Sequence, residues 1–368
     1  MRTVLAADAA EARGDAAGAL EIVGVEPADA PTLPFWRPWR VTRVRQLVEL
    51  GALLPSWSGS RWVLQQATQS MAATGPARTR RASEIAIALR GGLAMLPGFD
   101  SVDAQCRVVD HDWVFRQILL YELGALDAFV RSVASRDLLA RAGSVSEWAR
   151  ASMGGFRLVG DTPRSVMWED LSSGELLSMA NIGSAAVVVP GGSVIGRVVP
   201  VEDGQMFESA PLLVPEEVAR RVADDPADWI DLLRRGVDAH DPGATVYSAV
   251  VTQDFGLLSD VPDGLWQALA RHHRSVAGLP EPLLRGDGAL PAGLVWAALE
   301  SRIDDADPGE PDPWMCVSAA LVQPGVVDRL RPCLTAAHVA RLARLEDLLA
   351  EPASSVCRLL RADLPAAA

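Results

Sequence analysis

The spacing of apolar positions changes twice along the chain. Over residues 3–22 alanine-rich turns alternate with charged residues on either side of Gly14-Asp15, which predicts a helical hairpin bent at that pair. No second copy recurs at a fixed period, so a repeat array is not expected. Residues 41–74 predict two helices broken at Pro55, and residues 82–95 a further short one, because proline cannot continue a helix. The clearest stripe is Phe115, Leu119, Leu123, Leu126, Val130 and Val133, spaced by three or four, which predicts one helix over 111–134. Asp110 or Asp112 is its expected N-cap, and another short helix starts at Ser144.

From Phe156 the period becomes two. The segments 156–160, 165–171, 175–181, 185–189, 193–201 and 205–214 predict five or six short strands. Asp161-Thr162-Pro163, Ser172-Ser173-Gly174, Pro190-Gly191-Gly192 and Asp203-Gly204 separate them, and each is a turn composition. An open sheet of such short strands leaves edges unpaired, so closure into a small antiparallel β-barrel is expected. Helical spacing returns at 216–224, 227–237 and 264–274, and at 335–351 with Thr335 as N-cap. The expected fold class is α+β: a helical N-terminal domain over 1–154, a central small antiparallel β-barrel over 155–215 and an acidic helical C-terminal domain over 216–368.

Composition narrows the chemistry. All 34 basic residues are arginine, a bias of the GC-rich, actinobacterial kind. Without lysine there is no Schiff-base enzyme, no P-loop NTPase, no kinase and no Ser–Lys acyl transfer. The net charge of −13 excludes a uniformly basic nucleic-acid coat. It is unevenly spread: residues 31–95 carry nine arginines against two glutamates, whereas residues 201–312 carry twenty-two acids against eight arginines. The two regions can attract each other or serve different partners. Cys106, Cys316, Cys333 and Cys357 form no CxxC and no disulfide framework, and read as free thiols in a reducing compartment. The start reaches Asp8 too early for a signal peptide, and no apolar run approaches a membrane span. A cytoplasmic protein that does not enter membranes is expected.

The first candidate site is Trp36, Arg37, Trp39, Arg40, Arg43 and Arg45, where aromatic rings interleave with guanidiniums. Bases could stack on the tryptophans while the arginines neutralise phosphates. The competing and favoured reading makes the tryptophans core anchors and pairs the arginines with the acidic C-terminal half. Asp110-His111-Asp112 and His240-Asp241 lack the further histidines of a metal-dependent phosphohydrolase, and His272-His273 are adjacent rather than one helical turn apart. The acidic run from Asp304 to Asp312 lacks calcium-loop spacing and reads as a solvated linker. Gly191-Gly192-Ser193 is no nucleophile elbow. No catalytic residue, metal ligand or cofactor is therefore expected.

Residues 168–175 (WEDLSSGE) with 191–200 (GGSVIGRVVP) resemble a small β-barrel of uncharacterised bacterial and archaeal proteins, some of them linked to SEC-C zinc motifs. The resemblance covers about sixty residues and implies the barrel fold alone. The cysteine-rich zinc motif is missing, so no zinc role carries over. Residues 43–67 are similar in character to actinobacterial proteins of unknown function. The expected function is a non-enzymatic binding or adaptor protein, with another protein as partner or nucleic acid through the basic segment. The alternatives are a hydrolase-like enzyme with His111, Asp112, Glu169 and Asp170 between barrel and helices, and a structural subunit of an assembly.

Overall fold

The computed structural model describes residues 2–24, 36, 38–96, 98, 100–249, 256–262, 264–266, 269, 279–286, 288–301 and 312–364. Most of the helix expected over 264–274, His272-His273 and the acidic run before Asp312 lie outside the described residues.

The N-terminal hairpin forms as its pattern predicts. Helices α1 (Arg2–Ala12) and α2 (Ala16–Val23) meet at Gly14, whose φ of 76° suits glycine, and Asp15 caps α2 by accepting from the Gly18 N–H at 2.8 Å. Helix α3 (Pro38–Leu50) ends before Pro55 and α4 (Ser56–Gln69) begins after it. Helix α5 (Met71–Leu89) is kinked at Gly75 (φ 63°, ψ 153°) ahead of Pro76. That backbone conformation needs glycine, and proline removes the helical hydrogen bond that would have straightened it.

The helix expected over 111–134 is divided. Helix α6 (Ser101–His111) ends at Asp112, which turns extended and caps α7 (Trp113–Gln117) by accepting from the Phe115 N–H at 2.8 Å. A π turn (Ile118–Glu122) follows, closed by Leu123 N–H to the Ile118 carbonyl, and left-handed Gly124 starts α8 (Ala125–Ser132). The stripe still finds the core, with Phe115, Leu119 and Leu126 fully buried. A continuous apolar stripe therefore does not report a continuous helix. The break is driven by the buried pair of Asp112 with Arg90, 2.8 Å apart. Short helices α9 (Arg136–Arg141) and α10 (Val145–Trp148) lead into the sheet.

The sheet is open, which corrects the barrel expectation. Strands β1 (Gly154–Asp161), β2 (Ser165–Asp170), β3 (Leu176–Ala180), β4 (Ser193–Gly196) and β7 (Leu212–Val214) pair antiparallel in the order β3-β2-β1-β4-β7. Strands β5 (Val198–Val201) and β6 (Gly204–Phe207) form a separate hairpin. The expected strand 185–189 is a turn, entered through Gly183 at φ 99°. The expected strand 193–201 breaks at Arg197, and 205–214 breaks between Phe207 and Leu212. The β5–β6 hairpin folds back so that β6 lies alongside β3 without hydrogen bonding to it.

Closure is unnecessary because other elements cover both faces. Phe156, Leu158, Trp168 and Val194 line one face beneath Phe207, whose ring meets Phe156 and Trp168 edge-on at 5.2 and 5.3 Å. The opposite face carries Ile195, Leu212 and Val214 against α11 (Glu216–Asp224) and α12 (Trp229–Asp238). Each fully buried large side chain contributes about 1.5–3 kcal/mol.

The C-terminal region holds α13 (Thr245–Ser248), α14 (Ala289–Leu299), α15 (Trp314–Leu321), α16 (Val326–Leu330), α17 (Val339–Leu348) and α18 (Ala353–Ala362). Thr335 caps as expected, in a capping box with His338, while the helix expected over 335–351 stops at Leu348. One apolar cluster joins Trp62, Phe129 and Trp148 to Val199, Met206, Val317 and Leu345. The hydrophobic core thus runs across both expected domain boundaries.

Candidate functional site

The aromatic–arginine segment is tied into the protein. Trp36 is buried among Ala7, Ala10 and Ala19, where small side chains leave room for the indole. The Arg40 guanidinium lies 5.3 Å from the Trp36 ring centroid. It donates to Glu11 Oε1 and Asp8 Oδ1, both at 2.6 Å. Arg43 lies 4.5 Å from the Trp39 ring centroid. Trp39 and Arg43 lie one turn apart on α3, whereas Trp36 precedes the helix and meets Arg40 from outside it. Arg40 therefore clamps α3 to α1, and one face of each indole is already covered. Burial raises the Glu11 carboxyl, and Arg40 offsets only part of that rise. Arg45 is exposed, and Arg37 lies outside the described residues.

Two neighbouring compartments open beside this segment. The smaller holds about 400 Å³ and is walled by Asp8, Trp39 and Arg43, with Gln65 and Thr68 of α4 and Arg116 of α7. The larger holds about 740 Å³ between α5 and α6 and follows the Gly75-Pro76 kink. Thr74, Thr79, Val109 and Asp110 belong to both walls, so the two read as one trench. Its apolar floor is Ile87, Val102, Cys106 and Val109.

The wall hydroxyls have a common orientation. Thr68, Thr74, Thr79 and Ser83 each donate to the carbonyl four residues earlier, at 2.9–3.1 Å. Their protons are used and their lone pairs remain, so these four hydroxyls accept rather than donate. Two buried polar atoms at the smaller compartment, Trp39 Nε1 and Gln65 Oε1, have no hydrogen-bond partner.

Under the smaller compartment lies a charged floor joining helices to sheet. Arg61 of α4 donates to Asp260 at 2.9 and 3.3 Å and to the Phe207 carbonyl at 2.9 Å. Burial raises the Asp260 carboxyl against the pull of Arg61. Glu208 is buried and accepts from Gln117 and Ser209. Arg197, where the strand breaks, donates to Gln117 at 3.0 Å and Glu122 at 2.6 Å, and lies 4.2 Å from the Tyr121 ring centroid. Burial, reinforced by Glu208, pushes the Tyr121 hydroxyl well above its ordinary value. The π turn is what aims Tyr121 and Glu122 at Arg197. A void of about 40 Å³ among Arg61, Gln117, Glu208 and Asp260 has room for one or two waters.

The other sequence candidates do not come together. Asp112 is buried against Arg90, Glu169 pairs with Arg157, and Asp170 accepts from Ser172 in the turn to β3. His240 is exposed beside the Asp238 carbonyl. Among the described residues no three His, Cys, Asp or Glu side chains cluster for a metal, and no helix is long and apolar enough to cross a membrane. The expected attraction between the basic and acidic regions is realised at Arg61–Asp260, while Arg40 stays within the N-terminal region.

Sequence reading missed Gln65, Thr68, Thr74, Thr79, Arg116, Gln117 and Glu208, and took Asp110 only as an N-cap candidate and as a neighbour of His111. The one legible signal was Gly75-Pro76 within a helical pattern, which marks a kink. Comparison of the chain with known protein families, curated proteins and solved structures finds no match.

Proposed function

We propose that this chain is a binding protein that seats a segment of another protein in the trench. The observation that carries the reading is the shared wall of the two compartments, which makes an extended, open groove rather than one closed pocket. An extended polypeptide offers main-chain N–H donors along its length, which suits a wall of hydroxyl acceptors. Nucleic acid is less well served, because Trp36 and Trp39 already carry guanidiniums on one face.

Cys106 lines the larger compartment and reports its occupancy. In a Cys333→Ser background, peptides selected from an array for binding are expected to slow maleimide labelling of Cys106. Bound peptides that leave its labelling rate unchanged would place recognition elsewhere and remove the reading.

A second reading, an enzyme acting between sheet and helices, draws on Glu208, a buried carboxylate beside the void. It predicts that Glu208→Gln abolishes a turnover while peptide binding persists. A screen of hydrolysable substrates in which the wild type is silent removes it.

A further inference from the structure

The smaller compartment carries two buried polar atoms of opposite kind. Trp39 Nε1, on α3, is a donor, and Gln65 Oε1, on α4, is an acceptor; neither has a hydrogen-bond partner among the described residues. Buried donors and acceptors are almost always paired in a folded protein, so two orphans on one compartment point to an occupant that supplies both partners.

Charge does not choose that occupant. Arg40, Arg43 and Arg116 line the compartment together with Asp8 and Asp110, and Arg40 is committed to Asp8 and Glu11. A charged head of either sign therefore faces groups of its own sign as well as the opposite one. The orphans decide instead. A carboxylate has no proton for Gln65 Oε1, and an ammonium has no lone pair for the Trp39 N–H. An aliphatic side chain leaves both atoms unsatisfied. A hydroxyl would have to serve two helices from a single oxygen, whereas a carboxamide carries its donor and its acceptor on separate arms. Thr68, Thr74 and Thr79, on the same compartment, hold lone pairs for its second N–H.

Given the reading above, in which the trench seats a segment of another protein, we infer that the smaller compartment takes a glutamine or asparagine side chain of that segment. Its N–H donates to Gln65 Oε1, and its carbonyl accepts from Trp39 Nε1.

The test uses the full chain and four fluorescent peptides in an anisotropy titration. All share a short extended host of alternating threonine and valine, and differ only in a central guest: Gln, Glu, Lys or Leu. The Gln peptide is expected to bind at least about tenfold more tightly than each of the others, because a hydrogen-bonding site rejects guests that leave its groups unpaired. The preference should hold at low and high salt alike, since the guest is uncharged. Gln65→Leu removes the acceptor, and Trp39→Phe removes the donor while keeping a ring beside Arg43. Each should bring the Gln peptide close to the affinity of the Leu peptide, and far-ultraviolet dichroism should confirm that both variants fold. Any other guest that binds the wild type as tightly as Gln, or a Gln preference that survives in either variant, overturns the inference. Maleimide labelling of Cys106 in the Cys333→Ser background separates the two proposals. If the peptides protect the thiol equally whatever their guest, the trench remains a peptide site and only its carboxamide preference is lost. If none of the four protects it, the binding reading fails as well.

Discussion

Gly155 is the point where the sheet and the helical layer come closest. A Cβ there would lie 1.9 Å from the Ala219 carbonyl oxygen and 2.7 Å from the Ala219 carbonyl carbon. Both are backbone atoms, so no side-chain rotation relieves the overlap. Reaching ordinary contact requires α11 to retreat by roughly 1.5 Å, which loosens Ala219, Val222 and Ala223, all buried beneath it. Overpacking a core typically costs about 1–3 kcal/mol, and movement of a whole helix puts Gly155→Ala at the upper end, about 3 kcal/mol. The matched control lies in the same strand: a Cβ on Gly160 meets nothing within 4 Å. Gly160→Ala should therefore change stability by less than about 0.5 kcal/mol. Urea unfolding followed by far-ultraviolet dichroism reads both. With a slope of about 2 kcal/mol per molar, Gly155→Ala should lower the midpoint by about 1.5 M. Equal midpoints for the two variants would show that α11 does not seat on β1 as described.

Arg61→Met should cost about 3–5 kcal/mol by leaving Asp260 buried without its partner, and adding Asp260→Leu should recover most of it, because removing both charges leaves neither uncompensated; a double variant as unstable as the single one counts against the pair. Desolvation pulls the Glu351 carboxyl up, but hydrogen bonds from Ser355 and Ser354 and the nearby Arg358 bring it below its ordinary 4.5. Its contribution is therefore complete above that pH and is lost as pH falls through the lower folded value. Glu351→Gln should accordingly cost of the order of 0.5 kcal/mol at pH 7 for this half-exposed group and nothing near pH 2, and an equal cost at both refutes the assignment. In the native protein Cys106 and Cys333 should react with maleimide, whereas buried Cys357, its thiol pushed up to about 12, and buried Cys316, raised further, should react only after unfolding; mass spectrometry counts the adducts.

Local chemistry was readable wherever it acts over a few residues. The Gly14-Asp15 bend, the Pro55 break, the first three strands and the Thr335 cap follow from turn and cap preferences that need no distant partner. The trench was only partly legible. Trp36, Trp39, Arg40 and Arg43 stood out as an aromatic–arginine alternation, but that pattern does not say whether a guanidinium faces solvent or an indole four residues back. The hydroxyl wall carries no sequence signal, since threonine and glutamine scattered over α4 and α5 look like any solvated helix face.

By itself the sequence determined the α+β class, the switch from helical to strand spacing near Phe156, the lysine-free chemistry and the separation of basic from acidic regions. Tertiary structure decided where elements break and what covers the sheet. Asp112 divides one apolar stripe because Arg90 waits for it in the core, and Arg197 ends a strand because Gln117 and Glu122 hold its guanidinium. The sheet stays open because α11, α12 and the β5–β6 hairpin cover its faces. Each outcome rests on groups some twenty or more residues apart, whose burial and pairing energies exceed local propensity and become visible only once the chain has brought them together.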